Sequence, residues 1–182
     1  MKKIFLVYSG LLVIIFLNGC NQRKGMLNTL KQFTGTEIVI PEQFSPKRYN
    51  NTQPDTTLLQ RSVKMIVYLN QQGCEGCKLR GLWPLEIFIT ECYPFDAFGV
   101  VIILHPSSIE MSNHMLEQMF YGQTVFYDLD GSFERLNLHL PKDSRFHTFL
   151  LDENNKVILV GNPVGNAKLR NLYLTEIRKR HP

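Results

Sequence analysis

The sequence predicts an α/β domain built on a central mixed β-sheet with helices on both faces, and three observations carry that prediction. Two apolar runs, residues 65–69 and 98–104, have the length of buried strands. A segment of helical spacing follows each of them, and strands that alternate with helices pair in parallel. Near the C-terminus, residues 146–151 and 156–161 flank Asp152-Glu153-Asn154-Asn155. That is a hairpin turn, and it adds an antiparallel part to the sheet.

The elements follow in chain order. Lys2 and Lys3 form a short basic start, and residues 4–17 carry no charge. The run suits the apolar core of a signal peptide and falls short of the roughly 20 residues a membrane-spanning helix needs. Residues 20–26 read as a polar tether, and Leu27, Leu30 and Phe33 have helical spacing. Residues 36–40 are strand-like and stop at Pro41, and residues 41–62 read as a loop. From Cys74 to about Glu91 the chain can be helical, with Leu79, Leu82, Trp83, Leu85, Ile87 and Phe88 as its apolar face; Pro84 should kink or interrupt it. Val100 to Leu104 is continuously apolar, as in a strand covered on both faces. Ser107 or Ser108 should cap the next helix, whose buried side would draw on Ile109, Met111, Met115, Leu116, Met119 and Phe120. Residues 124–127 form a short strand and residues 131–138 a helical turn or two. After the hairpin, residues 167–180 close the chain as an amphipathic helix through Leu169, Leu172, Tyr173 and Ile177.

The segment Leu17-Asn18-Gly19-Cys20 resembles the lipobox of bacterial lipoproteins, although Ala or Ser is commoner where Asn18 stands. The resemblance implies cleavage before Cys20 and acylation of that cysteine. Stable anchoring needs more than one acyl chain, which a triacylated cysteine supplies. The organisation expected is a signal peptide over 1–19, a tether over 20–35 and one folded domain over 36–182. The domain would lie outside the cytoplasm, in the periplasm, on the cell membrane or the outer membrane. Losing Lys2 and Lys3 with the signal peptide lowers the net charge from +4 to +2. That is too mild a charge to argue for nucleic acid.

Three cysteines remain once Cys20 is lipidated: Cys74, Cys77 and Cys92. Cys74-Glu75-Gly76-Cys77 follows the first core strand and opens the first core helix. A helix start favours a thiolate, and two intervening residues put both sulfurs on one turn. The first sulfur can then attack and the second can resolve the mixed disulfide. Glu75 opposes thiolate formation, while Lys78 and Arg80 favour it. Cys92 fits a small buried hydrophobe.

Here the chain resembles the thioredoxin-like family, in particular its membrane-tethered thiol–disulfide branch. The likeness rests on the strand before Cys74-x-x-Cys77-Lys78, on the strand at 98–104 with its following helix, and on the hairpin Phe149-Leu150-Leu151-Asp152-Glu153-Asn154-Asn155-Lys156-Val157-Ile158. The stretches 73–79 and 149–161 also look like redoxin-like lipoproteins of the Bacteroidetes. The resemblance implies a thiol–disulfide oxidoreductase with Cys74 and Cys77 as its catalytic residues and no cofactor. Its partners would be protein thiols or disulfides, a separate redox partner, and the membrane through Cys20. Two departures stand out. Gly73 replaces the usual aromatic before the first cysteine. The family's cis-proline before the hairpin strand falls at Phe146, and no proline stands at 145–147. With a trans backbone there, residues 145–147 should lie against Cys74. Either His147, able to act as a base, or the bulk of Phe146 then borders the sulfur, unless strand alternation turns His147 outward as a surface residue.

Three other readings of the pair compete. It can be a structural disulfide, though so short a loop stabilises little. A peroxidase is disfavoured because Gln71 stands where peroxiredoxins carry threonine. A binding module without turnover could hold copper(I) through Cys74, Cys77 and His147, soft sulfur suiting that ion. Met111, Met115 and Met119 recur every fourth residue, as core packing does. Trp83 reads as core or groove wall, and the remaining histidines as surface or loop residues.

Overall fold

The computed structural model describes residues 24–50, 52–119 and 121–180. The expected signal peptide and Cys20 lie outside them. The chain divides into two units, Met1–Phe33 and Thr34–Pro182. In the first, residues 24–33 are helical (α1). No described helix is long and apolar enough to cross a membrane.

The second unit is one six-stranded sheet in the order β1-β4-β3-β2-β5-β6. Its strands are β1 (Ser45–Lys47), β2 (Val63–Leu69), β3 (Phe98–Leu104), β4 (Val125–Tyr127), β5 (Thr148–Leu151) and β6 (Val157–Val160). The strands β2, β3 and β4 run parallel, whereas β1, β5 and β6 join antiparallel. Every residue of β3 is buried, which is why its sequence is apolar without alternation.

Between the parallel strands lie α2 (Glu75–Arg80), α3 (Leu85–Cys92) and α4 (Ile109–Gln118). Both crossovers step the same way along the sheet, so the right-handed rule puts these helices on one face. There Met65, Val67, Ile102 and Leu150 form a core with Leu79, Phe88, Leu116 and, from α6 (Ala167–Lys179), Tyr173 and Ile177. The edge of Phe88 meets the Tyr173 ring at 6.0 Å. The opposite face carries Tyr68, against which α5 (Ser132–Leu136) packs Phe133 at 4.9 Å. The mixed sheet with helices on both faces is thus as expected, with the longer helices on one side.

Several elements differ from the sequence expectation. Residues 36–40 form no strand; Glu37 makes a single bridge to Lys156. The strand lies inside the expected loop, at Ser45–Lys47, pairing with β4 at the sheet edge. Pro46 is tolerated there because an edge strand has a side without ladder bonds. A 3-10 turn, Thr56–Gln60, follows, with Asp55 accepting from Thr57 N at 3.0 Å. The single helix expected from Cys74 breaks into α2 and α3. Pro84 stands directly before α3, where its missing N–H costs nothing. The break rotates the face: Trp83 and Ile87, expected inside, are 60% and 68% exposed. Ser108 does cap α4, accepting from Met111 N at 3.2 Å. The buried residues of α4 are Ser112 and Leu116, while Ile109 and Met111 face outward; Phe120 lies outside the described residues. Leu172 of α6 is likewise exposed, and Leu174 takes its place inside. Phe146 belongs to a second 3-10 turn, Ser144–Phe146, and not to the hairpin strand.

Candidate active site

The site forms where β2 ends and α2 begins. Gly73 has φ +79°, a left-handed conformation that side chains other than glycine adopt at a cost. It lets the chain turn sharply from the strand into the helix, which accounts for glycine where the family carries an aromatic. Cys74 is the cap residue of α2, and its Sγ accepts from Cys77 N at 3.1 Å. The two cysteines are joined in a disulfide with their Cα atoms 5.3 Å apart, and both are exposed.

The charged neighbours act differently from the expectation. Lys78 does not serve the sulfurs. Its Nζ donates to the Asn70 carbonyl at 2.8 Å, to Asn70 Oδ1 at 2.7 Å and to the Gln72 carbonyl. It clamps the 70–72 loop, and burial lowers its pKa. Arg80 is the cation near sulfur, with Nη2 4.0 Å from Cys77 Sγ. Glu75, between the cysteines, is buried. Its Oε2 accepts from Ser107 N at 2.9 Å and its Oε1 from the Ser112 hydroxyl. The sequence marked Glu75 by its sign alone; its tie to α4 carries no local signal.

His147 is neither a base at the sulfur nor a surface residue. It is 2% exposed and packs against Tyr68, with the ring centres 5.4 Å apart and the rings tilted by 40°. Its Nε2 donates to the Pro141 carbonyl at 2.7 Å, which fixes the proton there and engages that nitrogen. Its own carbonyl accepts from Tyr68 N at 2.9 Å, so the hairpin strand does pair with the strand that leads to Cys74. Burial lowers the imidazole pKa. Among the described residues there is no cis peptide bond, and no three His, Cys, Asp or Glu side chains gather as a metal-ligand group. The copper set of Cys74, Cys77 and His147 is therefore not assembled.

A cavity of about 180 Å³ opens beside α2, with Leu69, Asn70, Lys78, Ser144, His147 and Asn162 among its walls. Gln71 donates from Nε2 to the Pro106 carbonyl at 2.9 Å, tying the loop before Cys74 to the loop before α4. Cys92 is 3% exposed, and burial pushes its thiol up to about 12. It takes no part in the site.

No protein-family model matches the chain, and no curated protein matches it. Solved structures do. The thioredoxin domain of a thiol-disulfide oxidoreductase from Bacteroides vulgatus superposes with a TM-score of 0.53 at 12% identity, covering 79% of this chain and 97% of that one. A candidate thiol:disulfide interchange protein DsbE from Chlorobium tepidum gives 0.52 at 17% identity, over 80% and 96% of the two chains. A peroxiredoxin Q mutant from Xylella fastidiosa gives 0.51 at 9% identity, over 82% and 97%. At such identities the likeness is one of fold. The chain has the thioredoxin-like fold, and that fold carries both disulfide exchange and peroxide chemistry, so the reaction must be argued from the site.

Proposed function

We propose that this chain of thioredoxin-like fold is a thiol–disulfide oxidoreductase acting on protein thiols or disulfides outside the cytoplasm, tethered to a membrane by lipidated Cys20. The observation that carries the reading is the exposed Cys74–Cys77 disulfide at the start of α2, directly after a central strand. Such a pair exchanges by thiolate attack on a disulfide sulfur through a mixed disulfide. In the dithiol form Cys74 attacks and Cys77 resolves. With the Cys74–Cys77 disulfide as acceptor, a substrate thiolate attacks and the same steps run in reverse.

The test is trapping. Cys77→Ser should accumulate a mixed disulfide between Cys74 and a protein substrate, and Cys74→Ser should not. Equal trapping by both variants, or by neither, would reject the assigned roles. For the tether, alkyne-palmitate labelling should follow Cys20 and vanish in Cys20→Ala, with release from the membrane fraction. Labelling that persists in Cys20→Ala would reject that half of the reading.

The absence of the family's cis-proline favours one competitor, a module that keeps the fold without turnover; its expected position, Phe146, lies in the Ser144–Phe146 turn. Insulin-reduction and thiol-oxidation assays separate the two. Activity that disappears in Cys74→Ser would retire the competitor.

A further inference from the structure

We propose that Glu75 is a positioning residue that holds the Cys74–Cys77 couple on the reducing side, so that the protein is a disulfide reductase. The inference rests on the oxidoreductase reading and supplies the direction of electron flow that reading leaves open.

A disulfide is uncharged, whereas its reduced form carries thiolate. Neighbouring positive charge therefore stabilises the reduced form and makes the couple an oxidant, and negative charge does the reverse. Three features push this couple toward reductant. Glu75 sits between the two cysteines, and α4 fixes its carboxylate in place through Ser107 N and the Ser112 hydroxyl. The ammonium of Lys78, three residues along, is taken up by the oxygens of Asn70 and Gln72. The helix behind the cysteines is only six residues long and contributes a weak dipole. Against them, Cys77 N donates to Cys74 Sγ at 3.1 Å and the Lys78 ammonium stays within electrostatic reach of Glu75; Arg80 also reaches Cys77, but it is exposed and screened, and it serves the resolving sulfur. From the elements packed around Glu75 come the Ser107 N–H, the Ser112 hydroxyl and, on β4, the Tyr127 phenol. Burial and the Tyr49 hydroxyl raise the Tyr127 pKa, which keeps that phenol neutral. The His105 ring packs against Gly131 instead.

The reaction balances as two exchanges. The Cys74 thiolate attacks a substrate disulfide; a Cys74–substrate bond forms, and the substrate's second sulfur leaves as thiolate. The Cys77 thiolate then attacks Cys74, releasing the first substrate sulfur. Two electrons pass to the substrate, and the Cys74–Cys77 disulfide remains. A dithiol electron donor then reduces that disulfide back to the Cys74–Cys77 dithiol by the same exchange and becomes a disulfide itself.

The experiment is equilibration of the full chain with thiol buffers. Glu75→Gln removes the charge and keeps the contacts. Its amide oxygen can accept from Ser107 N while its nitrogen donates to Ser112 Oγ, whose hydroxyl then donates to the Ser108 carbonyl, 2.9 Å away. The wild-type couple should stay oxidised in glutathione buffers and be reduced by dithiothreitol. Glu75→Gln should shift the equilibrium about tenfold toward the dithiol, equivalent to about 30 mV. The pH profile of Cys74 alkylation should move to lower pH with it. Ser112→Ala, which loses a brace and keeps the charge, should hold the wild-type equilibrium, and it stays informative if Glu75→Gln fails to fold. A wild-type couple reduced by glutathione would overturn the proposal. So would a Glu75→Gln shift under about threefold or in the opposite sense, or a Ser112→Ala shift as large as that of Glu75→Gln. These equilibria are read on the couple with no protein substrate. A failure of substrate trapping would therefore sink the oxidoreductase reading separately.

Discussion

His147 shows how little a residue's type says about its task. Its place beside the CxxC strand suggested a base or a metal ligand, and the Pro141 carbonyl and the Tyr68 ring claim it for the core. Its lowered pKa has a consequence for stability. The unfolded chain binds a proton at this histidine near pH 6.5, whereas the folded chain resists it. Stability is therefore full above about pH 6.5 and falls as the pH drops below it, ahead of the carboxylates. Thermal melts between pH 7 and 5 should show this slope, and His147→Gln, whose amide can still donate to Pro141, should flatten it. An unchanged slope would place the titrating group elsewhere. Cys92 gives a second test. With its thiol pushed up to about 12, iodoacetamide should label Cys74 in the reduced native protein and leave Cys92 untouched at pH 8. Mass spectrometry of the labelled peptides decides it. Cys74 and Cys77 could be read as a redox pair from spacing and position. The sequestration of Lys78 could not, because its acceptors are loop carbonyls whose direction depends on how the chain turns at Gly73.

At the scale of the element, short pieces depend on their caps more than on their own propensity. The helix α5 has five residues, too few to be stable alone. The fully buried Asp128 secures it: Oδ1 accepts from Ser132 N at 2.9 Å and from the Ser132 hydroxyl at 2.8 Å, and Oδ2 accepts from Phe133 N at 3.0 Å. Asp128→Ala would strand buried donors, each costing about 1–3 kcal/mol, so urea denaturation should report a loss of about 3 kcal/mol. A loss below about 1 kcal/mol would mean that water or another acceptor replaces the carboxylate. The α4 cap is more ordinary, and Ser108→Ala should cost about 1 kcal/mol. Element type was legible wherever a run was long and periodic, as in β2, β3 and α6. It failed for β1, three residues with a proline at the centre, since what makes that segment a strand is the edge of β4.

For the whole molecule, the sheet is sealed on both faces, and its centre is the place to test that. Ile102 points into the core under α2, α3 and α6, and Ile103 is its neighbour on the other side of the pleat; neither has exposed surface. Ile102→Ala and Ile103→Ala should each cost about 2–5 kcal/mol, and by similar amounts, in denaturant titrations. A cost below about 1 kcal/mol at Ile103 would show that the α5 face is open or able to collapse. The same layering explains the redox site. The ends of the parallel strands β2 and β3 deliver two loops, 70–73 and 105–108, to one edge of the sheet, where Gln71 and Glu75 stitch them together.

The sequence by itself determined the alternation of strands and helical segments from residue 63 onward, the mixed sheet, and the placement of Cys74 and Cys77 at the start of a helix. These are local facts, written in periodicity, turn chemistry and spacing over a few residues. Only the tertiary structure decided that Trp83 and Ile87 face solvent, that His147 belongs to Pro141, and that β1 exists. It also decided that Glu75 is locked to Ser112, 37 residues away in sequence. The reason is physical. A hydrogen bond or a buried face between distant segments depends on where two chains pass each other, and one-dimensional pattern fixes each segment's type without fixing the rotation and register at which it meets the next.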